Sequence, residues 1–201
     1  MWNCSAASAR YAFIDVETTG FSPQNDAVVE VACQIVEDGN VVDAFETLID
    51  PQIPIPLYAT RVHGITDDCV AAKPRLWEVR EYLDLLCSDA IIVAHNARFD
   101  LSFLPFLAGL PSLCSWRFAE RVVPFAPNYK NQTLRAYFGV TDPDLEGRTA
   151  HRAMSDVIVT RHVFFRCLDR YKALGEPDDI AALLRFMHSP ANAWARTKRV
   201  A

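Results

Sequence analysis

The sequence predicts an α/β protein with one mixed sheet of five strands that is flanked by helices. Up to about residue 50, short runs rich in β-branched residues alternate with turn residues, which is typical of strands in a meander. After about residue 66, apolar residues recur at the spacing of helices. A continuous apolar run at 90–94 interrupts this helical pattern, as expected of a strand buried on both faces.

Five strands account for the predicted sheet. They cover residues 11–15, 27–37, 41–49, 90–94 and 113–116. The second and third strands flank the sequence EDGN, so we predict a hairpin with its turn at Gly39-Asn40. The proline-rich connection at 51–56 is predicted to be extended.

Helices are predicted for most of the remaining chain. Thr66-Asp67-Asp68 would cap a short helix, and further helices cover 74–87, 97–107, 133–138, 152–171 and 178–187. The tail from residue 189 carries Arg196, Lys198 and Arg199 and is expected to be loosely ordered. Because no change in composition marks a boundary, we predict a single domain over 1–201, with a core at about 11–171 and a C-terminal helix and basic tail at 172–201.

The composition is that of a globular protein, but it does not identify a binding partner. Hydrophobic residues make up 51% of the chain, which allows a sizeable core, and the net charge of −5 argues against binding nucleic acid over the whole surface. Acidic residues gathered around cations would themselves lower that charge. Six scattered cysteines without a C-x-x-C pair predict free, mostly buried thiols in a reducing compartment. We expect no signal peptide and no membrane span, and therefore a cytoplasmic location.

The first candidate metal ligands are Asp15 and Glu17, at the end of the first strand. Residues two apart on a strand point to the same face, so both carboxylates would project together and repel each other unless a cation lies between them. A second polar cluster, HNARFD at 95–100, directly follows the buried strand. Binding groups of α/β sheets are usually found at such strand ends, although Asp100 could instead serve as a helix cap.

A third cluster, HRAMSD, occupies residues 151–156. His151 and Asp156 would be about 140° apart on an ideal helix, so they meet only if His151 lies in the loop before the helix. Asp156 interrupts an otherwise apolar stretch, where an unpaired carboxylate would be costly to bury. This cost predicts a metal ion or a basic partner beside Asp156.

Together, three motifs resemble those of the DEDDh exonucleases, the group of the proofreading epsilon subunit of DNA polymerase III, ribonuclease T and the TREX enzymes. They are FIDVETTG at 13–20, HNARFD at 95–100 and HRAMSD at 151–156, and VHGIT at 62–66 resembles the segment between the first two. A histidine five positions before the last aspartate is typical of the histidine branch. The resemblance implies a ribonuclease H-like fold and 3′-to-5′ removal of nucleoside 5′-monophosphates.

By the same resemblance, Asp15, Glu17, Asp100 and Asp156 would hold two divalent cations, Mg²⁺ or Mn²⁺, which prefer hard oxygen ligands. Such a pair stabilises the attacking and the leaving oxygen of an in-line displacement. His151 would act as the general base, since imidazole titrates near neutral pH.

The resemblance also implies which residues surround the terminal nucleotide: Thr18, Phe21, His63, Ile65, Asn96 and Phe99. His95 is expected to hold the loop that carries Asp100. Six basic residues lie near the predicted site, and a solvated surface is the expected environment of each: Arg98, Arg117, Arg121, Lys130, Arg148 and Arg152. Contact with the backbone of an incoming strand is the alternative for some of them.

Several alternatives stay open at the level of sequence. Single-stranded DNA with a free 3′ end is the expected substrate, and RNA is the alternative, because no motif reports contacts to a 2′-hydroxyl. The short segment after the long helix favours a free-standing exonuclease over a polymerase-associated proofreading subunit. Homodimer formation is undecided. An inactive nucleic-acid-binding module is disfavoured because all four carboxylates and the histidine are present.

Overall fold

The computed structural model describes residues 4–189 and confirms the mixed five-stranded sheet. Its strands are β1 (Tyr11–Thr18), β2 (Val28–Glu37), β3 (Asn40–Leu48), β4 (Ile91–Ala94) and β5 (Ser112–Cys114). They lie in the order β3-β2-β1-β4-β5, in which β1 to β3 are antiparallel neighbours. Both β4 and β5 run parallel to β1. The ends of β1 and β4 therefore meet at one edge of the sheet.

The β2–β3 hairpin turns one residue earlier than predicted. Glu37 pairs with Asn40, so the two loop residues are Asp38 and Gly39 rather than Gly39 and Asn40. Both have positive φ angles, 50° and 76°. A two-residue turn of this kind matches the twist of the flanking strands, and Asp-Gly is a preferred sequence for it.

Eight helices cover the sheet within residues 4–189. They are α1 (Leu57–His63), α2 (Asp67–Val70), α3 (Leu76–Cys87), α4 (Ala97–Phe103), α5 (Ser115–Val122), α6 (Asn131–Phe138), α7 (Ala153–Ala173) and α8 (Ile180–His188). Single 3₁₀ turns occupy Pro105–Leu107 and Pro143–Leu145. The segment at 51–56 is not helical, as predicted.

Two helix predictions and one strand prediction need correction. Thr66 precedes α2, but its hydroxyl contacts the sulfur of Cys69 at 3.2 Å instead of capping the backbone. The helix predicted at 97–107 ends at Phe103, because a proline at position 105 lacks the N–H that the helix would need. The strand predicted at 113–116 stops at Cys114, and α5 begins at the next residue.

The sheet separates two apolar layers. Tyr11 and Phe13 of β1 are fully buried against α7, whereas the alternate residues Ala12 and Ile14 face the layer that contains α3 and α4. This alternation fixes the direction of the side chains that follow along β1. Asp15 and Glu17 therefore lie on the α7 side, at the edge of that layer.

All six cysteines are free, as predicted. Cys33, Cys87 and Cys167 are buried, whereas Cys69 is exposed. None of the helices within residues 4–189 combines the length and apolar character needed to cross a bilayer. The basic residues of the predicted C-terminal tail lie outside the described residues.

Candidate active site

Two elements bring three carboxylates together. Asp15 and Glu17 project from the end of β1, and Asp156 projects from the first turn of α7. One oxygen from each lies within 4.8 Å of the others. Because α7 packs directly on β1 through the apolar layer, the strand and the helix hold these side chains at short range.

The fourth predicted carboxylate, Asp100, approaches the group from α4. It is buried and accepts backbone hydrogen bonds from Val16 and Asn96. These bonds join the start of α4 to the end of β1. Together the four carboxylates and His151 line one cavity of about 620 Å³.

Burial and mutual repulsion make this cluster resist ionisation. Burial, followed by the charges of Asp100 and Asp156, raises the pKa of Asp15 well above its ordinary value. Burial, followed by the charges of Asp156 and Glu30, raises the pKa of Glu17 to about 8, and burial raises that of Asp100 to about 7. A divalent cation would reverse this situation by favouring the charged forms. The donors are all hard oxygens at short range, which fits Mg²⁺ or Mn²⁺.

Asp156 is oriented by groups that the sequence did not reveal. Its Oδ1 accepts hydrogen bonds from the amides of Gln132 (2.8 Å) and Asn131 (3.1 Å), both in the first turn of α6. Its Oδ2 accepts the backbone N–H of His151 at 3.0 Å. In the sequence, the only indication of this role is that two amide side chains, Asn131 and Gln132, stand next to each other at the start of an amphipathic helix.

His151 lies in the loop before α7, as its meeting with Asp156 requires. Its φ angle is 59°, which is uncommon for a residue with a side chain. The ring is 58% exposed, and its Nδ1 lies 4.0 Å from Oδ2 of Asp156. An exposed imidazole at the mouth of the acidic cavity can reach a bound substrate.

An ion pair between a buried carboxylate and a partly exposed arginine anchors this loop, and the sequence did not predict it. Glu30 of β2 is 1% exposed and accepts hydrogen bonds from the guanidinium of Arg152 and from the backbone N–H of Ala153. The start of α7 is thereby tied to the sheet. Arg152 is thus not a solvated surface residue, contrary to the prediction.

An exposed aromatic surface borders the cavity. Phe21 is 84% exposed, and its ring centroid lies 6.3 Å from that of Phe99. The loop that carries Phe21 is fixed by Asp26, which accepts hydrogen bonds from the Ser22 N–H and the Thr19 hydroxyl. A Cβ at position 20 would lie 2.4 Å from the Asp26 carboxylate, so a larger residue there would displace Asp26 from its hydrogen bonds. Asn96 is exposed and lines the same cavity.

The remaining predicted nucleotide-binding residues lie outside the cavity wall. His63 and Ile65 are buried, and Nδ1 of His63 accepts the N–H of Ile65 at 3.0 Å. The hydroxyl of Thr18 donates to the carbonyl of Gly20 at 2.6 Å. None of these three lines the acidic cavity, and the contacts of Thr18 and His63 are local ones. Their contact with a nucleotide stays a prediction.

His95 uses both ring nitrogens within the protein. Nδ1 bonds with the Ser115 hydroxyl and Nε2 with the Tyr129 carbonyl, each at 2.9 Å. Burial lowers its pKa to about 4. These contacts join the segment before α4 to α5 and to the loop before α6, which suits the structural role expected for it.

Two further basic residues have partners within the protein. Arg148 is exposed, as predicted, and pairs with Glu46 at 3.1 Å on the surface. Arg121 is half-buried and donates to the carbonyl of Phe186 and to Ser189, so it lacks the solvated surroundings predicted for it.

A match over most of the chain decides the family. The family described as exonuclease, RNase_T, matches residues 12–164, which contain all three predicted motifs. The chain belongs to the RNase_T exonuclease family. This membership confirms the resemblance to DEDDh exonucleases, and it places the acidic cavity in an exonuclease domain.

Polymerase sequences are among the relatives of this exonuclease domain. It is 35% identical over 175 residues to a DNA polymerase III subunit epsilon-like protein of Rhodobacter capsulatus, and 30% identical over 178 residues to the PolC-type DNA polymerase III of Caldanaerobacter subterraneus subsp. tengcongensis. The alignments cover 82% and 85% of this chain. The chain spans only 24% and 12% of the relatives' lengths.

Solved exonucleases share the fold. Exonuclease X in complex with 5′-overhanging duplex DNA is 28% identical, with a TM-score of 0.71, and the match covers 87% of this chain and 98% of that one. An E. coli exonuclease I–single-stranded DNA complex is 19% identical, with a TM-score of 0.68, over 83% of this chain and 43% of that one. The ribonuclease H-like fold predicted for the exonuclease domain is thus confirmed.

Proposed function

We propose that this protein is a metal-dependent 3′-to-5′ exonuclease that releases nucleoside 5′-monophosphates from the end of a DNA strand. The observation that carries the proposal is the acidic cavity, in which four carboxylates from three elements meet an exposed histidine. Membership of an exonuclease family gives this cavity its chemical context.

Asp15, Glu17, Asp100 and Asp156 would hold two divalent cations in this proposal. When bound, such ions lower the pKa of water and neutralise charge on the oxygen that leaves phosphorus. Hydrogen bonds from neighbouring groups hold two of these carboxylates in position. Gln132 and Asn131 orient Asp156, and backbone N–H groups orient Asp100.

His151 would take the proton from the attacking water. Its Nδ1 faces Asp156, so a hydrogen on Nδ1 points toward the carboxylate and leaves Nε2 as the acceptor. The exposed loop position allows Nε2 to approach a substrate in the cavity. Phe21, Phe99 and Asn96 would contact the terminal nucleotide, since aromatic faces stack on any base.

DNA is the favoured substrate because two of the similar solved structures hold DNA. The match over 98% of exonuclease X supports a single, free-standing exonuclease domain. The polymerase relatives support the alternative of a proofreading partner. RNA is the other alternative, and a cytoplasmic location stays a prediction.

The test is degradation of a single-stranded oligonucleotide labelled at its 5′ end, with Mg²⁺ or Mn²⁺. Stepwise removal from the 3′ end gives a descending ladder of labelled products. Immediate release of a labelled mononucleotide would mean the opposite direction, and a few internal fragments would mean endonuclease activity. RNA and duplexes with either overhang, run in parallel, identify the substrate class.

Asp15→Asn and Asp156→Asn should each abolish the ladder while the protein stays folded. Asp169→Asn is the matched control, because Asp169 is exposed on the same helix and about 20 Å along it from Asp156. Full activity of either cluster variant, or of the parent in excess chelator, would refute the metal mechanism.

A further inference from the structure

Three of the six basic residues near the site form no side-chain hydrogen bond and no ion pair within residues 4–189: Arg98, Arg117 and Lys130. Lys130 lines the acidic cavity itself, whereas the two arginines do not. Arg121, Arg148 and Arg152 are engaged by carbonyl or carboxylate groups. Arg98 and Arg117 are both exposed. Two unpaired guanidinium groups therefore stand free to bind an external anion.

Both arginines line one groove. Arg98 comes from α4, Arg117 from α5, and His188 from the end of α8 adds a third nitrogen-bearing side chain. The groove has a volume of about 530 Å³, which is within the range of ligand-binding sites. No carboxylate is among the described residues that line it. In a chain of net charge −5, this surface is selectively suited to anions.

The groove continues from the acidic cavity. Asn96 lines both, and Trp116, the neighbour of Arg117, lines the acidic cavity with a half-exposed ring stacked on His95. A strand whose last nucleotide occupies the acidic cavity would thus meet an indole face and then two guanidinium groups. Bases stack on aromatic faces, and arginine binds phosphate oxygens in a forked geometry.

We propose that this groove, defined by Arg98, Arg117 and His188, binds the phosphodiester backbone of the nucleotides that precede the 3′-terminal one. This proposal rests on the proposed exonuclease function. It assigns the groove to a single strand of nucleic acid rather than to a protein partner. The two parts of the site would then have different roles. The carboxylates, through bound cations, would bind the phosphate that reacts, and the arginines would bind the phosphates of the preceding nucleotides.

The test compares two substrates of the Arg98→Ala/Arg117→Ala variant. One is a single-stranded DNA oligonucleotide, which spans the groove. The other is the p-nitrophenyl ester of thymidine 5′-monophosphate, a phosphodiester without an upstream nucleotide. We expect kcat/KM to fall about tenfold or more on the oligonucleotide, and to change less than about twofold on the ester.

Salt dependence gives an independent signature. Each phosphate contact on a single strand contributes about −0.7 to the slope of log affinity against log salt concentration, so losing two contacts should flatten the slope by about 1.4. The matched control is Lys73→Ala/Arg166→Ala, which removes two charges from exposed residues that line neither the groove nor the acidic cavity. Its slope should equal that of the parent protein.

The outcomes separate the two proposals. If the parent hydrolyses neither substrate, the exonuclease proposal fails, and this one fails with it. If the parent is active but the variant keeps the parent's oligonucleotide rate and salt slope, only the groove proposal is overturned. An equal loss on both substrates also overturns it, because the arginines would then act on the cavity itself. Arg98→Gln/Arg117→Gln removes both charges but keeps the first part of each aliphatic stem and a polar end. It controls for a packing defect in the alanine variant and should behave as that variant does.

Discussion

At the scale of single residues, Asp156 shows how a carboxylate is held in one orientation by neutral donors. Asn131 and Gln132 each give an amide N–H to Oδ1, while the other oxygen receives the backbone N–H of His151. Neutral donors orient the carboxylate without cancelling its charge, which leaves that charge available to a cation. Groups that support metal ligands in this way typically change metal affinity or activity by about 10- to 100-fold when removed.

Gln132→Ala should therefore lower kcat/KM within this range and raise the Mg²⁺ concentration required for half-maximal activity. Excess Mg²⁺ should restore part of the rate, because the ligand is displaced but still present. Steady-state rates over a Mg²⁺ titration measure both effects. A rate loss that excess Mg²⁺ leaves untouched would contradict the orienting role.

His151→Ala should reduce kcat much more than it raises KM, since the proposed base acts on the attacking water and not on the bound nucleotide. The ring is exposed, so its removal should leave the thermal unfolding temperature almost unchanged. Rates measured from about pH 6 to about pH 9 should also follow different profiles in variant and parent. Identical profiles would exclude a base role for His151.

At the scale of elements, β2 and the start of α7 are joined by an ion pair whose carboxylate is buried. Glu30 is almost completely buried, and both Arg152 and the N–H of Ala153 donate to it. The residues that α7 contributes to the cavity lie within four positions of this anchor. The anchor therefore fixes the distance between the β1 carboxylates and Asp156.

Glu30→Ala should lower the free energy of unfolding by about 2 kcal/mol, the cost of losing the hydrogen bonds that a buried carboxylate accepts from Arg152 and from the N–H of Ala153. Glu46→Ala is the matched control. It breaks the Arg148 ion pair, in which both side chains are about a third exposed, so it should cost less than about 1 kcal/mol. Urea denaturation of both variants measures the difference. Equal losses would show that the Glu30 pair behaves as a surface pair.

Elements that depend on local sequence were predictable, and those that depend on distant contacts were not. The strand alternation around Asp15 and Glu17 follows from the residues themselves, as does the loop position of His151. Helix α1 was missed because Leu57, Tyr58 and Val62 are exposed, which gives no clean apolar face.

Contacts between distant segments explain the missed site residues. Glu30 lies 122 positions from Arg152, and Gln132 lies 24 positions from Asp156. No pattern in the neighbouring sequence predicts such pairs, because each pair forms only when distant segments pack together around α7. Arg98 and Arg117 could be selected from the six basic residues only after the partners of three others, and the position of Lys130 in the acidic cavity, were known.

At the scale of the whole molecule, a protein with an extensive apolar core encloses a centre of carboxylates that repel one another. Glu17 has its pKa raised to about 8 and Asp100 to about 7, above the values of about 4 expected in the unfolded chain. The folded state thus binds these protons more tightly than the unfolded state. Their contribution to stability is present at low pH and is lost as pH rises through the folded-state values.

This reasoning predicts that, in chelator, the free energy of unfolding falls between about pH 6.5 and about pH 8. The window begins at pH 6.5 because the buried His95, whose pKa is lowered to about 4, contributes an opposite trend below the pKa of an unfolded histidine. Saturating Mg²⁺ should remove this fall, because cations stabilise the ionised carboxylates. At 100 times its dissociation constant, Mg²⁺ should raise the free energy of unfolding by about 2.7 kcal/mol.

Glu17→Gln should flatten the pH dependence of the free energy of unfolding in chelator. Urea denaturation at both pH values, with and without Mg²⁺, measures these effects, and equal stability of the metal-free parent at the two values would show that the carboxylates do not repel as the geometry indicates.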